Sequence, residues 1–352
     1  MSSDDSDAFD FLLRVRRGDG GEEEIAEVLE RAPDPEEVTR LDLSDCELTR
    51  FLEPMTKFCN VTRLNLTNNG LETIPIEIFS FEQLEELNLT KNRIITGKIP
   101  TTSLSFGKLR RILLSENKLK TVPEFVYSCH GLVDLFMAAN QLEFLDARIG
   151  SLTHLRNLYL GANKLKFLPK QVGNLKKLQY LHLSDNELES VPTEVCEMTE
   201  LRCLELHNNR LYTLPQRLLN LNRLVVLSLR NNPLVKDFVG TLTWSPPSLH
   251  ELAGRSFLQS FDDWSSIKAE GRIPPSIVTY LNSARRCENP ECSGVYFDSH
   301  VETVKFHEFC GKYRVPLLQF LCSPSCSYDS GTEPQTLASS RTDLMMNRVL
   351  LG

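Results

Sequence analysis

Leu155-Arg156-Asn157-Leu158-Tyr159-Leu160-Gly161-Ala162-Asn163-Lys164-Leu165 reads Leu-x-x-Leu-x-Leu-x-x-Asn-x-Leu, and the spacing carries its meaning. Leu158 and Leu160 are two residues apart, so in a strand both point to one face. Leu155 and Leu165 complete an apolar cluster on the inner side of one coil. Asn163 stands where the chain leaves the strand, and a buried amide there needs backbone partners for its donors and its acceptor. One coil alone would leave its leucines in water, so the stretch demands neighbours of the same kind.

Those neighbours are present. The Asn position is held by Cys46, Asn69, Asn92, Asn117, Asn140, Asn163, Asn186, Asn209 and Asn232. Successive members are 23 residues apart except for one step of 25, from Asn92 to Asn117, where Thr96 to Ser103 is inserted after Ile95. The pattern resembles the leucine-rich repeat, in which Cys is a permitted substitute for the Asn. The implied fold class is an α/β solenoid, a horseshoe of about nine repeats with a parallel sheet on its concave side, over residues 38–240.

Ahead of the repeats lies an acidic arm. Residues 1–37 hold 13 acidic and 4 basic side chains out of a total net charge of −8, which leaves the remainder near +1. A nearly neutral body argues against nucleic acid as the partner. No apolar run reaches the ~20 residues that cross a bilayer, which argues against a membrane. Residues 1–21 read as a disordered acidic arm, and 22–37 as a capping helix with Ile25, Val28 and Leu29 on one face and acidic residues in its first turn. Cys46, Cys59, Cys129, Cys196 and Cys203 are scattered singly, as reduced thiols of a cytoplasmic or nuclear protein would be.

Between the leucines, the central outward column runs Asp42, Asn65, Asn88, Leu113, Phe136, Tyr159, His182, Glu205 and Ser228. It turns apolar midway, where Ala138, Ala139, Gly161 and Ala162 are small and Tyr180 stands beside His182. Leu113, Phe136, Tyr159, Tyr180 and His182 thus form a candidate patch for a protein client, with room for an inserted side chain; the competing reading is that the rings shield the sheet.

After Leu234 the texture changes. Ser248 followed by Glu251 forms a capping box that starts a helix, on which Leu249, Leu252, Ala253 and Phe257 recur at helical spacing. This helix suits either a groove on another protein or the end of the last repeat. Ile273, Pro274, Ile277 and Leu281 mark a second short helix, and the two helices together make up a segment over 241–284. Cys287-x4-Cys292 and Cys322-x3-Cys326 can bring four thiolates to one structural zinc ion in a module over 285–328, the alternative being plain buried cysteines. His300, His307 and Cys310 are reserve ligands. The segments 294–298 and 301–306 alternate like two strands. Ser327 to Ser340 reads as flexible, and Leu344, Met345, Val349 and Leu350 as a short terminal helix within 329–352. No G-x-S-x-G, P-loop or dinucleotide turn points to an enzyme.

The order of these parts carries a further resemblance. Leu249-x3-Ala253-x3-Phe257 resembles the elongin-binding box of ubiquitin-ligase substrate receptors, with Ala253 where that box usually has Cys. Ile273-Pro274-x2-Ile277-x3-Leu281 resembles the cullin box that follows it, and Ser276 stands where a cullin-5 box has a second proline, so cullin-2 is implied. The tail at 246–249, 280–283, 294–298, 309–317 and 321–324 is similar to the leucine-rich repeat-containing protein 58 family. The resemblance implies a non-catalytic receptor with a client on the concave face. It implies elongin B/C on Leu249, Leu252, Ala253 and Phe257, and cullin-2 on Ile273, Pro274, Ile277 and Leu281. The rival is a scaffold for a small GTPase or phosphatase, with the tail only as an end-cap.

Overall fold

Each coil supplies a short strand, three residues long in all but the first, which ends one residue past the first leucine of Leu-x-Leu; the flanking residues turn the chain away. In the computed structural model, which describes residues 11–15, 21–96, 107–235, 243–260, 264, 273–309, 313–327 and 348–350, these strands run parallel. They are β2 (Val38–Asp42), β3 (Arg63–Asn65), β4 (Glu86–Asn88), β5 (Arg111–Leu113), β6 (Asp134–Phe136), β7 (Asn157–Tyr159), β8 (Tyr180–His182), β9 (Cys203–Glu205) and β11 (Val226–Ser228). The register is uniform, with Leu135, Leu158, Leu181 and Leu204 paired in succession. Beneath them the leucines form one continuous core.

The asparagines close each coil. Asn163 donates from Nδ2 to the main-chain oxygens of Met137 and Leu160, both at 3.0 Å, and its Oδ1 accepts from the Leu142 amide at 3.0 Å. The residue just before this position is left-handed in every coil, at φ 59° for Asp45 and 53° for Ala139 and Ala162. A non-glycine residue there costs about 1–2 kcal/mol, and the asparagine bonds on either side hold the turn. On the far side, short 3-10 turns such as Lys170–Asn174 bury one or two apolar residues each.

The chain divides into two compact units. Unit 1 comprises the described residues of Met1–Arg210, Asn220–Asn232 and Met345–Gly352. Both edges of its 11-stranded sheet are formed by strands from outside the repeats. β1 (Phe11–Arg14) pairs with β2, so that part of the arm expected to be disordered is ordered by sheet addition. β17 (Arg348–Leu350) pairs with β11, where a terminal helix was expected. An unpaired edge offers free amides and carbonyls to any extended segment, whatever its helical spacing. The helix α1 (Gly21–Glu30) buries Ile25 and Leu29, while Val28 is exposed, so the buried stripe is narrower than expected. Glu22 accepts from the Thr49 amide at 2.6 Å and fastens α1 to the first repeat.

Unit 2 takes Leu211–Leu219 and the described residues of Pro233–Leu344. Its four-stranded sheet runs β10 (Leu214–Pro215), β16 (Tyr313–Leu321), β15 (Val301–Phe309) and β12 (Thr243–Trp244). The β15–β16 hairpin is longer than the two short strands expected, since residues 313–321 form a full partner strand. The strand β10, which follows Asn209 of the eighth repeat, pairs with β16 and extends this sheet. Val301, Val315, Leu317 and Leu321 fill its core. The helices α3 (Leu249–Ser260) and α4 (Pro275–Asn282) and the small β13 (Arg285–Arg286) and β14 (Val295–Tyr296) ribbon complete it. The unit-1 helix Glu124–Ser128 is α2. Among the described residues no helix is long and apolar enough to cross a membrane.

Candidate functional site

Two faces carry the residues singled out above, one in each unit. In unit 1 the outward side chains of β6, β7 and β8 stack on one another. Phe136 and Tyr159 lie 4.6 Å apart at 24°, and Tyr159 and His182 lie 4.0 Å apart at 14°. Leu113, Phe136, Tyr159 and His182 are therefore half-buried by mutual packing, and Tyr180 in the adjacent column is exposed. The expected hollow at Gly161 is filled: a Cβ there would sit 3.1 Å from Ser184 Oγ. Phe136, Tyr159 and His182 thus form one stacked stripe, with Tyr180 exposed in the column beside it. Beside the stripe, His182 Nδ1 pairs with Glu205 Oε2 at 2.8 Å. Burial, with Glu205 adding to it, pushes the Cys203 thiol up to about 11.

In unit 2 the helix α3 turns much of its apolar side outward. Its leucines face solvent, with Leu249 85% and Leu252 47% exposed, and Ala253 is exposed with them. Its buried face is polar: Glu251 is 3% exposed. The Glu251 carboxylate accepts from the amides of Phe297 at 3.1 Å and Ser299 at 3.0 Å, and from Arg255 Nε at 3.0 Å. The expected capping box is half-formed, because Ser248 Oγ accepts from the Glu251 amide at 3.1 Å while the carboxylate serves β14 and its loop. A two-residue pattern cannot distinguish a glutamate that caps its own helix from one that ties the helix to a distant strand.

Gly254 explains why the helix seats so closely. A Cβ there would lie 3.0 Å from both Tyr280 Cε1 and Phe297 Cζ, and those two rings are stacked 4.3 Å apart. The apolar residues of α3 and α4 then enclose a groove of about 340 Å³, lined by Ala253, Phe257, Ile273, Ile277, Tyr280 and Leu281 among others. Residues assigned by resemblance to two different partners thus share one groove. Leu281 is buried, so it is a core residue of α4 and not a free contact; Pro274 and Ile277 are exposed.

Cys287, Cys292, Cys322 and Cys326 are brought together, with all four sulfurs within 4.8 Å of one another. Cys292–Cys322 and Cys292–Cys326 are 3.6 Å apart, and Cys322–Cys326 3.5 Å. Tetrahedral zinc with Zn–S near 2.3 Å requires S···S of about 3.8 Å. Two amides already point at sulfur, Gly294 to Cys292 at 3.2 Å and Cys322 to Cys287 at 3.3 Å. Gly294 is required by the close approach, since a Cβ would meet Cys322 Sγ at 2.7 Å. These residues could hold a tetrahedral metal ion. His300 is engaged by Asp298 O at 2.9 Å and Glu302 at 3.2 Å, apart from the sulfur set; Cys310 lies outside the described residues.

Comparison with known proteins agrees with the repeat geometry. Residues 140–252 match the family described as Leucine-rich repeat region, and residues 60–81 match Leucine Rich Repeat. The fold is a leucine-rich-repeat solenoid. Among curated relatives, leucine-rich repeat-containing protein 58 of Xenopus laevis is 43% identical over 131 residues, covering 34% of this chain and 35% of that protein. The protein of the same name from Homo sapiens is 47% identical over 92 residues, covering 26% of this chain and 24% of its own length. The chain thus spans between a quarter and about a third of the length of these relatives. The solved structure of a TDR receptor shares the fold, with a TM-score of 0.51 at 23% identity over 60% of this chain and 41% of that one. Leucine-rich repeats are in general protein-interaction scaffolds, not catalysts.

Proposed function

We propose that this leucine-rich-repeat protein is the substrate-recognition subunit of a cullin-RING ubiquitin ligase, acting in the cytoplasm or nucleus. The observation that carries the reading is the orientation of α3, whose Glu251 is held inside while Leu249 and Leu252 stand in solvent. Two leucines and an alanine held outward on a rigid helix form a surface that water disfavours and a partner would cover. Elongin C takes this face through Leu249, Leu252, Ala253 and Phe257, and cullin-2 takes Ile273 and Pro274, just ahead of α4, with Ile277 on its first turn. The client lies on the concave face of the repeats, against Tyr180 and the Phe136–Tyr159–His182 stripe. Such a subunit performs no chemistry; it raises the local concentration of client lysines near the conjugating enzyme. A structural zinc ion on the four cysteines holds the tail in shape.

The test is co-purification with elongin B and C. Wild type is expected to capture both, and Leu249→Asp with Leu252→Asp to lose at least about 90% of that capture, because a charge placed in an apolar interface is costly to desolvate. Both side chains are exposed, so the fold survives the change. A folded wild type that captures neither elongin sinks the reading.

A further inference from the structure

On the outer face of the unit-1 sheet, three ligand-bearing side chains converge from two neighbouring strands. Cys203 and Glu205 are two residues apart in β9 and project to one face. His182 of β8 stands opposite Glu205 in register. His182 Nδ1 is 2.8 Å from Glu205 Oε2, and Cys203 Sγ is 3.9 Å from Glu205 Oε1. One ligand atom from each of the three lies within 4.8 Å of the other two. An ion held by sulfur, imidazole nitrogen and carboxylate oxygen separates those atoms by about 3.3–3.5 Å. The His182–Glu205 and Cys203–Glu205 spacings fall on either side of that range.

The surroundings hold the ring in place. Tyr159 stacks on the His182 imidazole at 4.0 Å, so the ring turns little about its own axis. Among the described cysteines of unit 1, Cys203 is the one that lies in a repeat strand: Cys46 takes an asparagine position, Cys59 lies in a turn, Cys129 follows the helix Glu124–Ser128, and Cys196 lies in a short 3-10 turn.

We propose that His182, Cys203 and Glu205 form a metal site for a borderline divalent cation, with zinc the best fit. One thiolate, one imidazole and one carboxylate match its ligand preferences, and three protein ligands leave a fourth position open. Water or a donor atom of a bound protein would complete the four-coordinate set. The site shares no residue with the four-cysteine cluster of unit 2 and does not depend on the ligase reading.

The experiment uses the full chain, stripped of metal under reducing conditions, loaded with Co2+ and then Zn2+, with metal counted per chain at each stage. Wild type is expected to hold one ion more per chain than Cys203→Ser, a change of one atom that leaves the fold intact. Glu205→Gln is expected to bind that ion at least about 10-fold more weakly. Equal metal content in wild type and Cys203→Ser overturns the proposal. Should Cys203→Ser lose its circular dichroism signature, His182→Gln replaces it under the same criterion.

Discussion

Arg255 donates from Nη1 to the main-chain oxygen of Cys322 at 2.7 Å, which ties the middle of α3 to the second cysteine turn. The same guanidinium pairs with Glu251, and both side chains are nearly buried. One residue therefore links the outward-facing leucine helix to the sulfur cluster. The orientation of α3 and the integrity of the cysteine turns are coupled through it.

Breaking this link is expected to be expensive. Arg255→Met leaves the buried Glu251 carboxylate without its cation, a change that costs about 3–5 kcal/mol. Urea unfolding followed by Trp fluorescence is the measurement, since Trp244 lies in unit 2. A loss below 1 kcal/mol would mean that the pair is not the anchor.

Acid sensitivity follows with a defined sign. Burial pushes the Glu251 carboxyl up, but Arg255 and the amides of Phe297 and Ser299 outweigh it and hold the group below its ordinary value. A group depressed in the folded state contributes stability above its unfolded value of 4.5, and that contribution is lost as pH falls through the folded value. Glu288 behaves oppositely. Burial raises it despite Arg217, so it adds stability as pH falls through the same region. Stability measured between pH 6 and pH 3 is expected to fall less steeply in Glu251→Gln than in wild type, and more steeply in Glu288→Gln.

Helix propensity and packing give opposite answers at Gly254. Replacing glycine by alanine in a helix interior favours the helix by about 1 kcal/mol, whereas the new methyl would press on the stacked Tyr280 and Phe297 rings at 3.0 Å. Overpacking of this kind costs about 1–3 kcal/mol. Gly254→Ala is expected to destabilise unit 2 by about 1 kcal/mol net, read from the denaturation midpoint. A gain would show that the rings yield.

Chelation tests the four-cysteine cluster. Zinc content of the full chain is expected to fall by one ion in Cys322→Ser, with a lower melting temperature and greater protease sensitivity of the tail. Unchanged metal content would leave the four cysteines as packed thiols.

In unit 1, Asn163→Ala removes the partner of the Leu142 amide and of the Met137 and Leu160 oxygens. Each buried group left without a bond costs about 1–3 kcal/mol. A loss of roughly 3 kcal/mol is expected by chemical denaturation, well beyond the effect of a surface asparagine such as Asn174.

The solenoid is legible in the order of residues, because a 23-residue recurrence of Leu-x-Leu and Asn states its own packing partner: the next coil is another copy of the same pattern. The meeting of the four cysteines was legible for a similar reason, since close pairs around turns restrict where thiols can go. What required the tertiary structure were the contacts between unlike segments. The edge strands β1 and β17 came from stretches without strand-like repetition, because an edge accepts any extended backbone. The spacing of Leu249, Leu252 and Ala253 announced a face but not which side of the helix was already occupied. That was decided by Glu251, Gly254 and Arg255, which met Phe297, Tyr280 and Cys322 from far along the chain and turned the leucines to solvent. Periodicity encodes contacts between like and like; contacts between unlike segments depend on shape and charge that become adjacent only when the chain has folded.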